Sequence, residues 1–452
     1  MKVRFFNAII NVDSAAISFS VFIAASLWMV APVAANDELS FEWDWAVSYE
    51  TAKLRDSAFM EAQGSARDSL NALLDVQVNY QNISGLFTLY SQGLYLNQQG
   101  EHEWWGEADN QLLIRELAWQ GEWQVGDTTL DVSAGKLRVD WGVGYGYRPL
   151  DLFKPYRQNP VGLVAEEGAG VFSLSYYDMS GVWTAIATDS SWGQQEQSAL
   201  DQAAEQRGFG IRRYALVGDT EYQLIGYYDD VRRGLLGASA IAVLDESIAM
   251  HSSLLWQKQS VGYQFKNEGQ PSDRYQPVTV EEQGSAFQAL VGLNWANQAG
   301  HNVIAEYWYD SRAWSKSQWE QAIARGEWLS QSSDTTLLAT SYAQGFQHAN
   351  IVQHNLMLHW RWDLEAWTAW TAWRGRVDLE WLSDITPTLD VMYSPQDGGV
   401  IVTQWLNYQW IDTGDQSVEV EVAARFLTGD DHSAYAQIND KNMIVLNIKG
   451  KF

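Results

Sequence analysis

Seven histidines (His102, His251, His301, His348, His354, His359 and His432) and 56 acidic residues could supply proton transfer or metal binding in this 452-residue chain. Their spacing argues against both. No His-Glu-x-x-His, Gly-x-Ser-x-Gly or P-loop pattern occurs. Cysteine is absent, which excludes disulfides and thiolate metal sites and suits export through an oxidising compartment. The acidic run Gly429–His432 could offer carboxylates to Ca²⁺, but a solvated loop is the simpler reading. Neither cofactor nor metal is expected. Gly142, Gly144 and Gly146 are too evenly spaced for a dinucleotide fingerprint, and the prolines that follow oppose the helix it requires. Their expected role is to let a backbone fold tightly.

The informative charges lie at every second position. Lys136, Arg138 and Asp140 alternate with Leu137, Val139 and Trp141. His359, Arg361 and Asp363 do the same, Arg374 and Arg376 lead Asp378 and Glu380, and Glu419 and Glu421 precede Arg425. A spacing of two puts these side chains on one face of a strand and the apolar ones on the other.

That period recurs along the chain. Leu74, Val76, Val78 and Tyr80 oppose Asp75, Gln77 and Asn79. Phe287, Val291, Leu293 and Trp295 oppose Gln288, Gly292 and Asn294. Val418, Val420, Val422 and Phe426 oppose the acids of their strand, and Trp373, Val377, Leu379 and Trp381 read as another strand. Tight turns are expected near Gly126, Gly218, Asn297 and Gly414. Between them lie longer polar segments, near residues 50–70, 92–110, 142–169, 188–207, 267–284, 311–350 and 427–442. Short turns at one end and long loops at the other are the layout of an outer-membrane barrel. At roughly 23 residues per strand and connection, about 18 antiparallel strands are expected, within 16 to 20. Aromatics at strand ends, such as Tyr307, Trp308, Tyr309, Tyr408 and Trp410, suit a membrane interface.

Residues 1–35 read as a signal peptide, with Lys2 and Arg4, an apolar stretch from about Ile17 to Val30, and small residues before a cut after Ala35. A single barrel over 36–452 remains. No later apolar run is long enough for a helical span. With a formal charge of −27, no nucleic-acid partner is expected.

Two stretches carry a family resemblance. Ile444, Leu446, Ile448, Gly450 and Phe452 share one parity, and this resembles the C-terminal assembly signal of Gram-negative outer-membrane barrels, although Gly450 stands where an aromatic is common. Residues 135–177, with Trp141, Gly142, Arg148, Pro149, Asp151, Asn159, Pro160, Glu166, Glu167 and Gly168, are similar to porin-like channels of the alginate-export type, as is the part from Tyr393 to Phe452. The resemblance implies a barrel read by the insertion machinery through Phe452, Leu446 and Ile448. Outer-membrane lipids and lipopolysaccharide would surround it, and its function would be a channel for hydrophilic, saccharide-like solutes rather than catalysis. A non-conducting barrel for adhesion or envelope assembly, or a barrel hydrolase, are the alternative readings.

The alternating charges then become pore-lining candidates, because Arg or Lys facing lipid near mid-bilayer costs roughly 2–4 kcal/mol. The arginines among them point to anionic solutes such as uronates. The loop 142–169, with Arg148, Asp151, Asn159, Glu166 and Glu167, is the expected pore loop. Its apolar Leu150, Leu152, Phe153, Val161 and Leu163 should fold against the inner wall or cap the mouth.

Overall fold

A computed structural model describes residues 39–62, 64–97, 109–153, 163–195, 197–266, 271–364 and 383–451. Its strands are β1 (Leu39–Leu54), β2 (Ala66–Tyr80), β3 (Ile83–Asn97), β4 (Asp109–Val125), β5 (Thr128–Leu137), β6 (Ala169–Asp178), β7 (Gly181–Asp189), β8 (Arg207–Val217), β9 (Thr220–Asp229) and β10 (Leu235–Val243). After these come β11 (Ile248–Gln257), β12 (Ser260–Gln264), β13 (Thr279–Gln283), β14 (Ala286–Ala296), β15 (His301–Asp310), β16 (His354–Trp362), β17 (Ile385–Tyr393), β18 (Val400–Asp412), β19 (Ser417–Thr428) and β20 (Asp440–Lys451).

Eighteen of these strands form one sheet in which each pairs antiparallel with its sequence neighbour, β11 passing directly to β14. The short pair β12–β13 stands apart in the intervening connection. Closure comes from β1, which pairs with both β2 and β20. The result is a closed barrel with no free edge, as lipid demands of every backbone N–H and C=O. At the seam Gly450 faces Trp45, whose indole occupies the space a Gly450 side chain would need. The aromatic expected at position 450 is thus supplied by the opposite strand.

One parity of each strand carries exposed apolar groups, among them Leu112, Ile211, Leu224, Leu254, Val291, Leu358, Leu406 and Val422. Leaving such side chains in water would forfeit about 1.5–3 kcal/mol each, so this band is the lipid face. The other parity points inward and is largely polar. Trp308, expected in the interfacial girdle with its neighbours, instead faces inward and is buried, its indole N–H donating to Asn350 at 2.9 Å.

Turn chemistry separates the two rims. Gly126 and Gly218 hold φ of +62° and +61°, where an L side chain is strained. Their turns, with those near residues 81, 179, 245, 298 and 414, make one rim short. The stretch Trp373–Trp381, expected as a strand, lies outside the described residues, and the strand that pairs with β16 is β17.

The other rim carries the long connections, several of which share a core. Phe59, Tyr263, Trp314, Trp319, Ile323, Leu329, Tyr342, Val352 and Tyr435 pack together with almost no exposure. Helix α1 (Lys316–Leu329) supplies three of them. Ser315 and Gln318 form its capping box, and Trp319, Ala322, Ile323, Gly326 and Leu329 bury one face. Arg55 stitches the cap to the barrel, donating to the carbonyls of Leu427, Tyr435 and Ile438 at 3.2, 2.7 and 2.8 Å.

Candidate functional site

The connection after β5 turns inward rather than out into solvent. Asp151 accepts backbone N–H groups of Gly142 at 2.8 Å and Trp141 at 3.3 Å, and Arg148 pairs with both Asp140 and Asp151 while donating to the Gly142 carbonyl. Two of the expected pore-loop charges therefore close the loop on itself. Gly144 is indispensable to that closure, because a β-carbon there would run into the Tyr147 carbonyl and Leu290.

Trp141, Leu150, Leu152 and Phe153 pack on Ile225, Tyr227, Leu235 and Leu255, all inward-facing on β9–β11. Leu163 joins a separate inner cluster with Leu73 and Leu113. Val161 and Asn159 lie outside the described residues. The apolar part of this loop thus lies along the wall inside the barrel.

Its tip is latched to β15. The N–H groups of Tyr145 and Gly146 donate to the Glu306 carboxylate at 2.6 and 2.7 Å, and His251 Nε2 lies 2.6 Å from the same group. Tyr147 donates its hydroxyl to Asp310 at 2.8 Å, beside Arg312, which also binds Asp310. Burial and the Asp310 charge push the Tyr147 hydroxyl well above its usual range. Burial opposes ionisation of Arg312, yet Asp310 raises it beyond an ordinary arginine. Tyr145 reaches further, its ring 4.4 Å from that of His359 on β16.

The descending limb, residues 163–168, is tied to β2, β4 and β5. Arg115 pairs with Asp75 at 2.6 Å and donates to the Glu166 carbonyl at 2.8 Å. Arg138 pairs with Glu166 at 3.0 Å and Lys136 with Glu167 at 2.5 Å. Burial raises the Glu167 carboxyl, but the Lys136 bond and the N–H groups of Gln194 and Gln195 outweigh it and leave it below its usual value.

These loops divide the interior. A cavity of about 930 Å³ lies against β15–β19, lined by Asn302, Thr388, Thr403, Trp405 and Asn407 between charged groups. Another of about 400 Å³ lies toward β5, with Asp140, Arg148, Asp201 and Glu205 on its wall. Arg138, Val164 and Glu166 border both. The Arg138–Glu166 pair therefore stands at the divide.

Of the sequence-derived lining residues, Arg138, His359, Arg361, Glu419, Glu421 and Arg425 border the larger cavity. Lys136 does not, being buried against Glu167. Asp140 lies beyond β5 and braces Arg148. Asp363 sits at the short-turn rim, its N–H donating to the Gly300 carbonyl at 2.8 Å. Arg374, Arg376, Asp378 and Glu380 lie outside the described residues, as does Phe452, while Leu446 and Ile448 occupy the outward parity of β20. Within the cavity wall His359 pairs with Asp390 at 2.5 Å, Asn407 with Glu419 at 2.7 Å, and Lys449 with Glu421 at 3.1 Å. Arg361 is exposed and has no carboxylate within ion-pair distance among the described residues.

Glu306, Arg115 and Asp390 are not singled out by the sequence, and Asp75, which it places on a polar strand face, gains its partner Arg115 only in the fold. Each is a charge inside an otherwise apolar-alternating strand, and the cost of facing lipid already assigned it to the interior.

No family model matches the chain, and no curated protein matches it. Its backbone is similar to solved structures of OccK7 (OpdD) from Pseudomonas aeruginosa, at TM-score 0.49 and 8% identity over 92% of this chain and 98% of that one. OccAB1 from Acinetobacter baumannii gives 0.48 and 9% over 92% and 96%. The outer membrane protein OprD from Pseudomonas aeruginosa gives 0.44 and 9% over 92% and 93%. These are Occ and OprD structures, not the alginate-export-type channels expected from the sequence. The values are below 0.5, and the barrel is defined here by its own strand pairing. That pairing is the architecture of a porin-like outer-membrane barrel.

Proposed function

We propose that this chain is an outer-membrane channel for small hydrophilic solutes. The carrying observation is the polar cavity of about 930 Å³, enclosed by a lipid-facing barrel and bordered by an inward-folded loop. The cavity wall offers Arg115, Arg138, Arg361 and Arg425 against Glu166, Asp384, Asp390, Glu419 and Glu421, with the exposed ring of Tyr145 as a flat aromatic face. Alternating hydrogen-bonding charges and an aromatic face suit a saccharide-like solute, and charged rings set ion preference. Arg361 is exposed in this wall with no carboxylate partner among the described residues, and that cation favours anionic solutes despite the acidic total.

Single-channel recording in planar bilayers under a salt gradient tests this reading. Wild-type protein should conduct with an anion-leaning reversal potential. Replacing Arg361, Arg374 and Arg376 by Ala should move that potential toward cations. Absence of current from folded, reconstituted protein would leave the adhesive or assembly reading, and turnover of ester or peptide substrates would favour a hydrolase. A cation-selective wild type would retain the channel and discard the anion track.

A further inference from the structure

The outward surface over β8–β11 carries a depression that the channel reading does not use. Gly226 faces lipid, and a β-carbon there would meet only Leu236, at 3.9 Å. With Ala238 next to it, the floor is nearly bare backbone. Ile211, Leu236 and Trp256 wall two adjoining hollows of about 580 and 550 Å³, which share Gly226 and so form one trough. Phe209 and Tyr228 flank it and are exposed.

Two cations stand at one end of the trough. Arg233 and Lys258 both line it and both are exposed, and no carboxylate partner is recorded for either among the described residues. They are held side by side, since the Lys258 N–H donates to the Gly234 carbonyl at 2.9 Å and the Gln259 N–H to the Arg232 carbonyl at 3.0 Å. Arg233 adopts φ +57°, one of two non-glycine residues in the left-handed region among the described residues. A bulky residue seldom occupies it without compensation. Asp230, the acid nearest in sequence, accepts the N–H of Arg207 at 2.8 Å. This end belongs to the rim of long connections, which faces outward in an outer-membrane barrel. The cations therefore stand at headgroup depth in the outer leaflet, above an apolar trough running toward mid-membrane.

We infer that this trough is a specific seat for a phosphate-bearing, multi-acyl lipid of the outer leaflet, with Arg233 and Lys258 on the phosphate and acyl chains over Gly226. A second copy of this face in a two-fold contact would bring the same cations together without a counter-charge. An anionic lipid supplies that charge and the chains together.

Native mass spectrometry of the folded protein in non-ionic detergent, titrated with bisphosphorylated lipid A, tests the seat. Wild type should retain one lipid through detergent exchange. The Arg233→Ala/Lys258→Ala variant should bind about 25-fold more weakly, at roughly fivefold per cation near an anionic lipid surface. Gly226→Leu, which fills the trough without touching the cations, should also lose the lipid. Both variants should keep wild-type heat-modifiable migration and conductance, because every altered side chain faces outward. Equal retention by both variants would overturn the inference. So would equal binding of dephosphorylated lipid, full displacement by inorganic phosphate, or a lipid-free dimer that Gly226→Leu dissociates.

Discussion

His348 ties the cap to its own hairpin through one ring nitrogen. The Tyr263 N–H donates to His348 Nε2 at 2.9 Å, so that nitrogen carries no proton in the folded cap. Burial lowers the imidazole from 6.5 to about 4, with Asp310 opposing and Arg312 reinforcing the shift. Above 6.5 the ring is neutral whether the cap is ordered or open, and nothing is lost. As pH falls toward 4 only the opened cap takes up the proton, so cap stability declines across that window by up to roughly 3 kcal/mol. Hydrogen exchange over residues 311–353 should therefore accelerate between pH 6.5 and 4. His348→Gln, whose carbonyl can still accept the Tyr263 N–H, should flatten the profile; an unchanged profile would remove His348 as the cause. This contact was not legible in the sequence, where His348 is one polar residue in a long polar segment and its partner lies 85 positions away.

The inward loop is an element whose shape depends on few anchors. Glu306 alone accepts two backbone N–H groups from its tip and contacts His251. Glu306→Ala should release the tip at a cost of roughly 3 kcal/mol, taking the bonds as charge-assisted. Larger and noisier single-channel currents are the expected readout, and deletion of residues 145–153 should raise the current further. Wild-type current in both variants would show that the loop braces the wall without narrowing the passage. The strands themselves were legible because lipid and lumen impose opposite chemistry on alternate residues, as at Phe287 to Trp295. Helix α1 was not recognised, although Ser315 and Gln318 mark its start and Trp319, Ala322, Ile323 and Gly326 follow a helical period. The strand period on either side of it and the polar composition of residues 311–350 mask that pattern. Pairings such as Lys136 with Glu167 depend on where a loop descends, which no local period encodes.

At the scale of the whole molecule, the barrel is a ring of nearest neighbours, each strand held by the two beside it. The seam between β1 and β20, with Trp45 laid over Gly450, is one hairpin-like interface among eighteen and differs only in lacking a covalent turn. A ring has no intrinsic first member. Linking Lys451 to Leu39 by a short glycine-rich segment and cutting between Gln81 and Asn82 should therefore yield the same barrel from a permuted chain. The cut falls at a two-residue turn, and it leaves a last strand whose outward Leu74, Val76, Val78 and Tyr80 repeat the alternation of Ile444, Leu446 and Ile448, with an aromatic near its end. Refolding this permutant into detergent should restore the heat-modifiable band and the strand content of the parent. Failure to refold would mean that the order in which strands meet, and not only the ring they complete, is written into the fold. Success would make the position of the chain ends a matter of synthesis and insertion, separable from the object that is built.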